Sequence, residues 1–75
     1  MDAKQAIADF KEYARAMRAA RASGDRHAMI RIASAFITKY DEVAEEQLQK
    51  LLEAEGLIEA GDGGACWIPT EKAYA

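Results

Sequence analysis

Residues 56–69 read Gly-Leu-Ile-Glu-Ala-Gly-Asp-Gly-Gly-Ala-Cys-Trp-Ile-Pro, and here the grammar of the chain turns from helix to strand. Leu57-Ile58-Glu59-Ala60 has the length and composition of a short strand. Gly61-Asp62-Gly63-Gly64 is a turn whose glycines permit positive φ. Ala65-Cys66-Trp67-Ile68 supplies a second strand, and Pro69 stops it because proline cannot donate to a ladder. The stretch therefore predicts a β-hairpin over 57–69. Thr70-Glu71-Lys72-Ala73-Tyr74 follows as a last helical turn capped by Thr70.

Upstream the pattern is helical. Residues 2–22 are rich in Ala, Arg, Lys and Met, which are strong helix formers. Ala3, Ile7, Phe10, Ala14 and Met17 fall on one face at helical spacing. Ser23-Gly24 closes this helix, and Asp25 suits the N-cap of a second over 26–38. Met29, Ile30, Ile32, Ala33, Phe36 and Ile37 make that second helix apolar over a broad arc, as expected of the most buried element. Thr38-Lys39-Tyr40-Asp41 is the next break, with Asp41 capping a third helix over 42–55 that Gly56 ends. The alternative is one kinked helix from Asp25 to Glu55. The fold expected is thus α+β, mostly helical, with three helices and a C-terminal two-stranded hairpin forming a single domain over 1–75. Its expected core holds Ile7, Phe10, Met17, Ile30, Ala33, Phe36, Ile37, Leu48, Leu51, Leu52, Ile58 and Trp67.

Seventy-five residues give a thin core, since a chain this size buries only about 60% of its unfolded surface. Small scaffolds often rely on a staple. One cysteine, Cys66, cannot form an internal disulfide, and one histidine, His27, does not make a closed zinc site. Helix packing or association remains. The composition is that of a folded protein, 51% hydrophobic and 31% charged. No apolar run approaches the roughly 20 residues of a membrane span. The expected setting is cytoplasmic.

The net charge of −3 hides a split. Residues 1–40 carry eight Lys or Arg against four carboxylates, a balance of +4; residues 41–75 carry two against nine, a balance of −7. Lys4, Lys11, Arg15 and Arg18 form a stripe beside the apolar face of the first helix, and Arg31 adds to them on the second. The third helix shows Glu42, Glu45, Glu46, Gln49 and Glu53, offset only by Lys50.

Leu48, Leu51, Leu52, Gly56, Leu57 and Ile58, then a turn, then Trp67, Pro69, Thr70, Glu71 and Lys72, resemble the third-helix-plus-wing segment of winged helix-turn-helix regulators. Ala73 stands where those families usually have glycine. The resemblance covers the last third of the chain and implies DNA binding, with the third helix in the major groove and the wing on the backbone. The residues themselves oppose this, because phosphate contacts need Lys or Arg and the third helix is acidic. The family's DNA-contacting residues therefore carry over to no position here.

Catalysis needs a nucleophile with a base, an acid–base pair in a cleft, or a metal. His27 has no carboxylate or cysteine at ligand spacing. Cys66 lacks cationic neighbours that would lower its pKa. Gly61–Gly64 lacks the lysine of a phosphate loop and the carboxylates of a calcium loop. No enzyme and no cofactor are expected. The leading expectation is a non-catalytic protein-binding module, a small regulator or inhibitor of bacterial or phage accessory type. Its acidic face (Glu42, Glu45, Glu46, Gln49, Glu53), with Trp67 as an anchor, would dock on a basic or nucleic-acid-binding groove of a partner. Spare apolar residues such as Met29, Ile32, Tyr13 and Tyr40 favour a protein partner or a homodimer. The alternative is a DNA-binding winged-helix regulator contacting nucleic acid through Lys4, Lys11, Arg15, Arg18 and Arg31.

Overall fold

The computed structural model describes residues 2–59 and 68–74. They form three helices, α1 (Ala3–Ser23), α2 (Arg26–Ile37) and α3 (Glu42–Ala54), and a closing 3-10 turn, Glu71–Tyr74. The helix ends follow from local chemistry. The Asp2 carboxylate accepts from the Lys4 N–H at 3.0 Å and opens α1. Gly24 closes α1 at φ +70, a left-handed conformation that costs glycine nothing, and the Asp25 N–H reaches back to the Ala20 carbonyl at 3.0 Å. Asp25 accepts from the Ala28 N–H at 3.0 Å, and Asp41 from the Ala44 N–H at 2.8 Å. Between α2 and α3 the Thr38, Lys39 and Tyr40 amides turn back onto the Ser34, Phe36 and Ile37 carbonyls. That turn excludes one kinked helix from Asp25 to Glu55.

The core is built on α1. Ala6, Phe10 and Ala14 form its buried ridge at i, i+4, i+8, joined by Phe36, Leu48, Leu52, Leu57, Ile58 and Ala73. Two alanines flanking one phenylalanine let neighbouring backbones come close while the ring fills the centre. Phe10 meets Phe36 edge-on at 6.1 Å between centroids, and Tyr13 stacks on Phe36 at 4.6 Å. Among the described residues α2, α3 and the 3-10 turn all pack on α1, and α2 and α3 do not pack on each other.

Three sequence expectations are corrected. The class is all-α: the described residues contain no β-strand, so the α+β, winged-helix-like reading with a hairpin over 57–69 does not stand. What remains is an isolated antiparallel bridge between Ile58 and Pro69, flanked by Glu59 N–H to Ile68 O at 3.2 Å and Thr70 N–H to Leu57 O at 3.0 Å. A half-buried strand exposes alternate residues, yet the neighbours Leu57 and Ile58 are both buried. Both side chains serve the core, which a strand of period two would not allow. Residues 60–67, which include the expected turn, Cys66 and Trp67, lie outside the described residues.

The second correction concerns α2, which is not the most buried element. Only Phe36 is buried on it, while Ile30 and Ile37, expected in the core, are 64% and 59% exposed. Its apolar arc is wider than the single face that α1 covers. The third concerns Thr70, whose hydroxyl does not cap the last turn. It donates instead to the Gly56 carbonyl at 2.6 Å, tying that turn to the end of α3.

Candidate interaction surface

On α3, Glu42, Glu46, Gln49 and Glu53 follow i, i+4, i+7, i+11, the spacing of one helix side. Glu42, Glu45 and Glu46 are exposed; Gln49 and Glu53 are half-buried, with the Gln49 amide donating to Glu53 Oε1 at 3.3 Å. Glu42 and Glu45 sit in the first turn, where the helix dipole favours them. Lys50 Nζ lies 3.7 Å from Glu46 Oε1, an exposed pair of little energetic weight. Val43, on this outer side, is 67% exposed. The structure thus brings the five acidic-face residues together on α3. Trp67, proposed beside them, lies outside the described residues.

The basic residues are dispersed. Lys4, Lys11, Arg15 and Arg18 run along one side of α1, with Lys11 half-buried and the others exposed. The Arg18 guanidinium lies 4.4 Å over the Tyr74 ring, so this cation packs against the 3-10 turn. Arg31 belongs to α2, whose outer side combines it with Arg26, His27, Ile30 and Ile37, all exposed. Ile30 and Ile37 are the surface residues that sequence reasoning missed, having assigned them to the core. The signal was present in the width of the apolar arc, which one neighbouring helix does not cover.

Between α1 and α2 runs a groove of about 200 Å³ lined by Asp9, Glu12, Tyr13, Ala16, Ile32, Ala35, Phe36 and Lys39. Asp9 is spoken for at its edge: Oδ1 accepts from the Gln5 amide at 2.9 Å and Oδ2 from the Tyr40 hydroxyl at 3.2 Å. Burial, then the Asp9 charge and this hydrogen bond, push the Tyr40 phenol above its ordinary pKa. A phenol raised in the fold stabilises it fully below the unfolded value of about 10, and that contribution is lost as pH rises through the folded value. We expect thermal stability to fall with a Tyr40-dependent step above about pH 10. Melting curves of Tyr40→Phe across that range should lack the step; an unchanged alkaline profile would exclude this coupling.

Among the described residues no group of three or more His, Cys, Asp or Glu is placed to hold a metal ion, and no helix is long and apolar enough to cross a membrane. Fold and surface together define a small three-helix, all-α protein with an acidic helix side and a basic, apolar one. Comparison with protein-family models, curated proteins and solved structures finds no match.

Proposed function

We propose that the chain is a non-catalytic protein-binding module, a small regulator or inhibitor working in the cytoplasm, with its contact surface on the outer sides of α2 and α3. The observation that carries this reading is the exposure of Ile30, Ile37 and Val43, each more than half open to solvent. Scattered single apolar residues are ordinary on a protein surface. Here two lie two turns apart on one short helix, and the third lies in the first turn of the next helix, across a four-residue turn. Binding that covers them removes apolar area from water, at about 25 cal/mol per Å². The carboxylates beside Val43 and the cations beside Ile30 add selectivity and association rate more than affinity.

The test is capture on immobilised protein, comparing wild type with the double variant Ile30→Asp/Ile37→Asp. Both positions are exposed, so circular dichroism should show unchanged folding. Retention of a partner by wild type and its loss in the variant is expected; equal retention by both would refute the assigned surface. Titration against duplex DNA separates the nucleic-acid reading. A flat titration at low salt is expected. Binding that weakens steeply with salt would instead favour contact through Lys4, Lys11, Arg15, Arg18 and Arg31.

A further inference from the structure

We infer that the outer sides of α2 and α3 are complementary to each other, so that the partner they fit is a second copy of this chain; the inference rests on the protein-binding reading above. The α2 side is Arg26, Ile30, Ala33 and Ile37, at i, i+4, i+7, i+11, with His27 and Arg31 beside it. The α3 side is Glu42, Glu46, Gln49 and Glu53 at the same spacing, with Val43 beside it. One stripe is basic and apolar, the other acidic with an apolar residue at its edge. They lie on different helices that do not pack on each other among the described residues. Neither stripe therefore neutralises the other within the molecule, whereas a two-fold pair sets each against its complement twice. Such an isologous arrangement uses one surface on both subunits and closes without leaving a free end.

A second observation points the same way. Arg26 lies in the first turn of α2, which beyond the Asp25 N-cap holds no acidic residue, and the last turn holds no basic one. The Arg26 guanidinium at a helix N-terminus opposes the dipole, the reverse of the glutamates in the first turn of α3. Carboxylates of a facing α3 would satisfy Arg26 and offset this opposition. The size also fits. A standard interface takes about 800 Å² from each partner, roughly 15% of the 5301 Å² this chain presents. For a chain with so thin a core, that burial is a substantial addition.

The experiment is sedimentation of the full chain, with two charge-reversed variants, Arg26→Glu/Arg31→Glu and Glu42→Arg/Glu46→Arg. Wild type is expected to sediment as a dimer that weakens at least tenfold between about 0.05 and 0.5 M salt, as screening shortens the reach of the charges. Each variant alone places like charges opposite one another and is expected to be monomeric. Their equimolar mixture restores one reversed pairing and one native pairing, and is expected to dimerise. The mixture is the decisive arm, because a variant that merely misfolds cannot be rescued by another. A wild type that stays monomeric, variants that dimerise as wild type does, or a mixture that stays monomeric would each overturn the inference. If wild type is monomeric yet the Ile30→Asp/Ile37→Asp variant loses a captured protein, self-pairing fails and the protein-binding reading stands. If neither self-association nor capture occurs, both fail.

Discussion

Phe10→Ala is expected to remove about 3–5 kcal/mol of stability, the usual cost of emptying a buried aromatic site. For 75 residues at the usual 0.05–0.15 kcal/mol each, total stability is roughly 4–11 kcal/mol. The variant should therefore lose a large share of its stability, and unfold at room temperature where the wild-type total lies at the low end of that range. The reason is position as much as size. Phe10 is fully buried and sits on α1, on which every other described element packs. Its ring touches those of Tyr13 and Phe36, so truncation also strips partners from the aromatic cluster. Ala6 and Ala14, the neighbours along the ridge, have no rotatable side chain to move into the space. Urea denaturation followed by circular dichroism measures the effect. A loss below about 1 kcal/mol would mean that the site collapses freely and that α1 is not the axis of the core.

The helix boundaries were legible because the signals are local. Asp25, Asp41, Gly24 and Gly56 act within a few residues of themselves, so α1, α2 and α3 begin and end within a residue or so of where capping chemistry puts them. The acidic stripe on α3 was legible for the same reason, since helical spacing alone fixes it. What spacing does not fix is which face meets which. The apolar arc of α2 spans more than one face, and only the placement of α1 selects Phe36 for burial while leaving Ile30 and Ile37 outside. Ala6, Ala20 and Ala73 were overlooked as core because small side chains look like filler in a sequence. They are buried because they permit close approach.

The hairpin failed for a different reason. Two apolar runs around a glycine cluster satisfy the local rule for paired strands, and the chain does return, with Ile58 bridged to Pro69. The described part of the pairing is one bridge long. Leu57 and Ile58 are both drawn into the core, and beyond Pro69 the Thr70 hydroxyl is held by the Gly56 carbonyl as the chain enters its 3-10 turn. Tertiary demand at the end of α3 overrides the alternation that a strand requires. The carboxylates expected to bind a partner remain where spacing put them, while the apolar residues beside them became visible only once the core was known.

The same tertiary demand makes the C-terminal turn a part of the core, and Ala73→Asp is expected to show it. Ala73 is fully buried, its N–H donating to the Thr70 carbonyl at 3.0 Å, while the next residue, Tyr74, stacks under Arg18. An unpaired carboxylate at this point costs several kcal/mol, of the order of the whole stability. Melting should then drop for the entire helical signal in one transition, instead of fraying a few terminal residues. Lys72→Asp makes the same charge class at the exposed neighbouring position and should change stability by only about 0.5 kcal/mol. The pH dependence separates charge from crowding. Burial raises the pKa of the new carboxyl above its unfolded value of about 3.9, so the native state binds the proton more tightly. Its cost is therefore complete above the folded pKa and is relieved as pH falls toward about 4, measured as the difference from wild type. A difference that does not change with pH would assign the loss to steric crowding. A wild-type melting curve for the variant at neutral pH would place the C-terminal turn outside the cooperative unit.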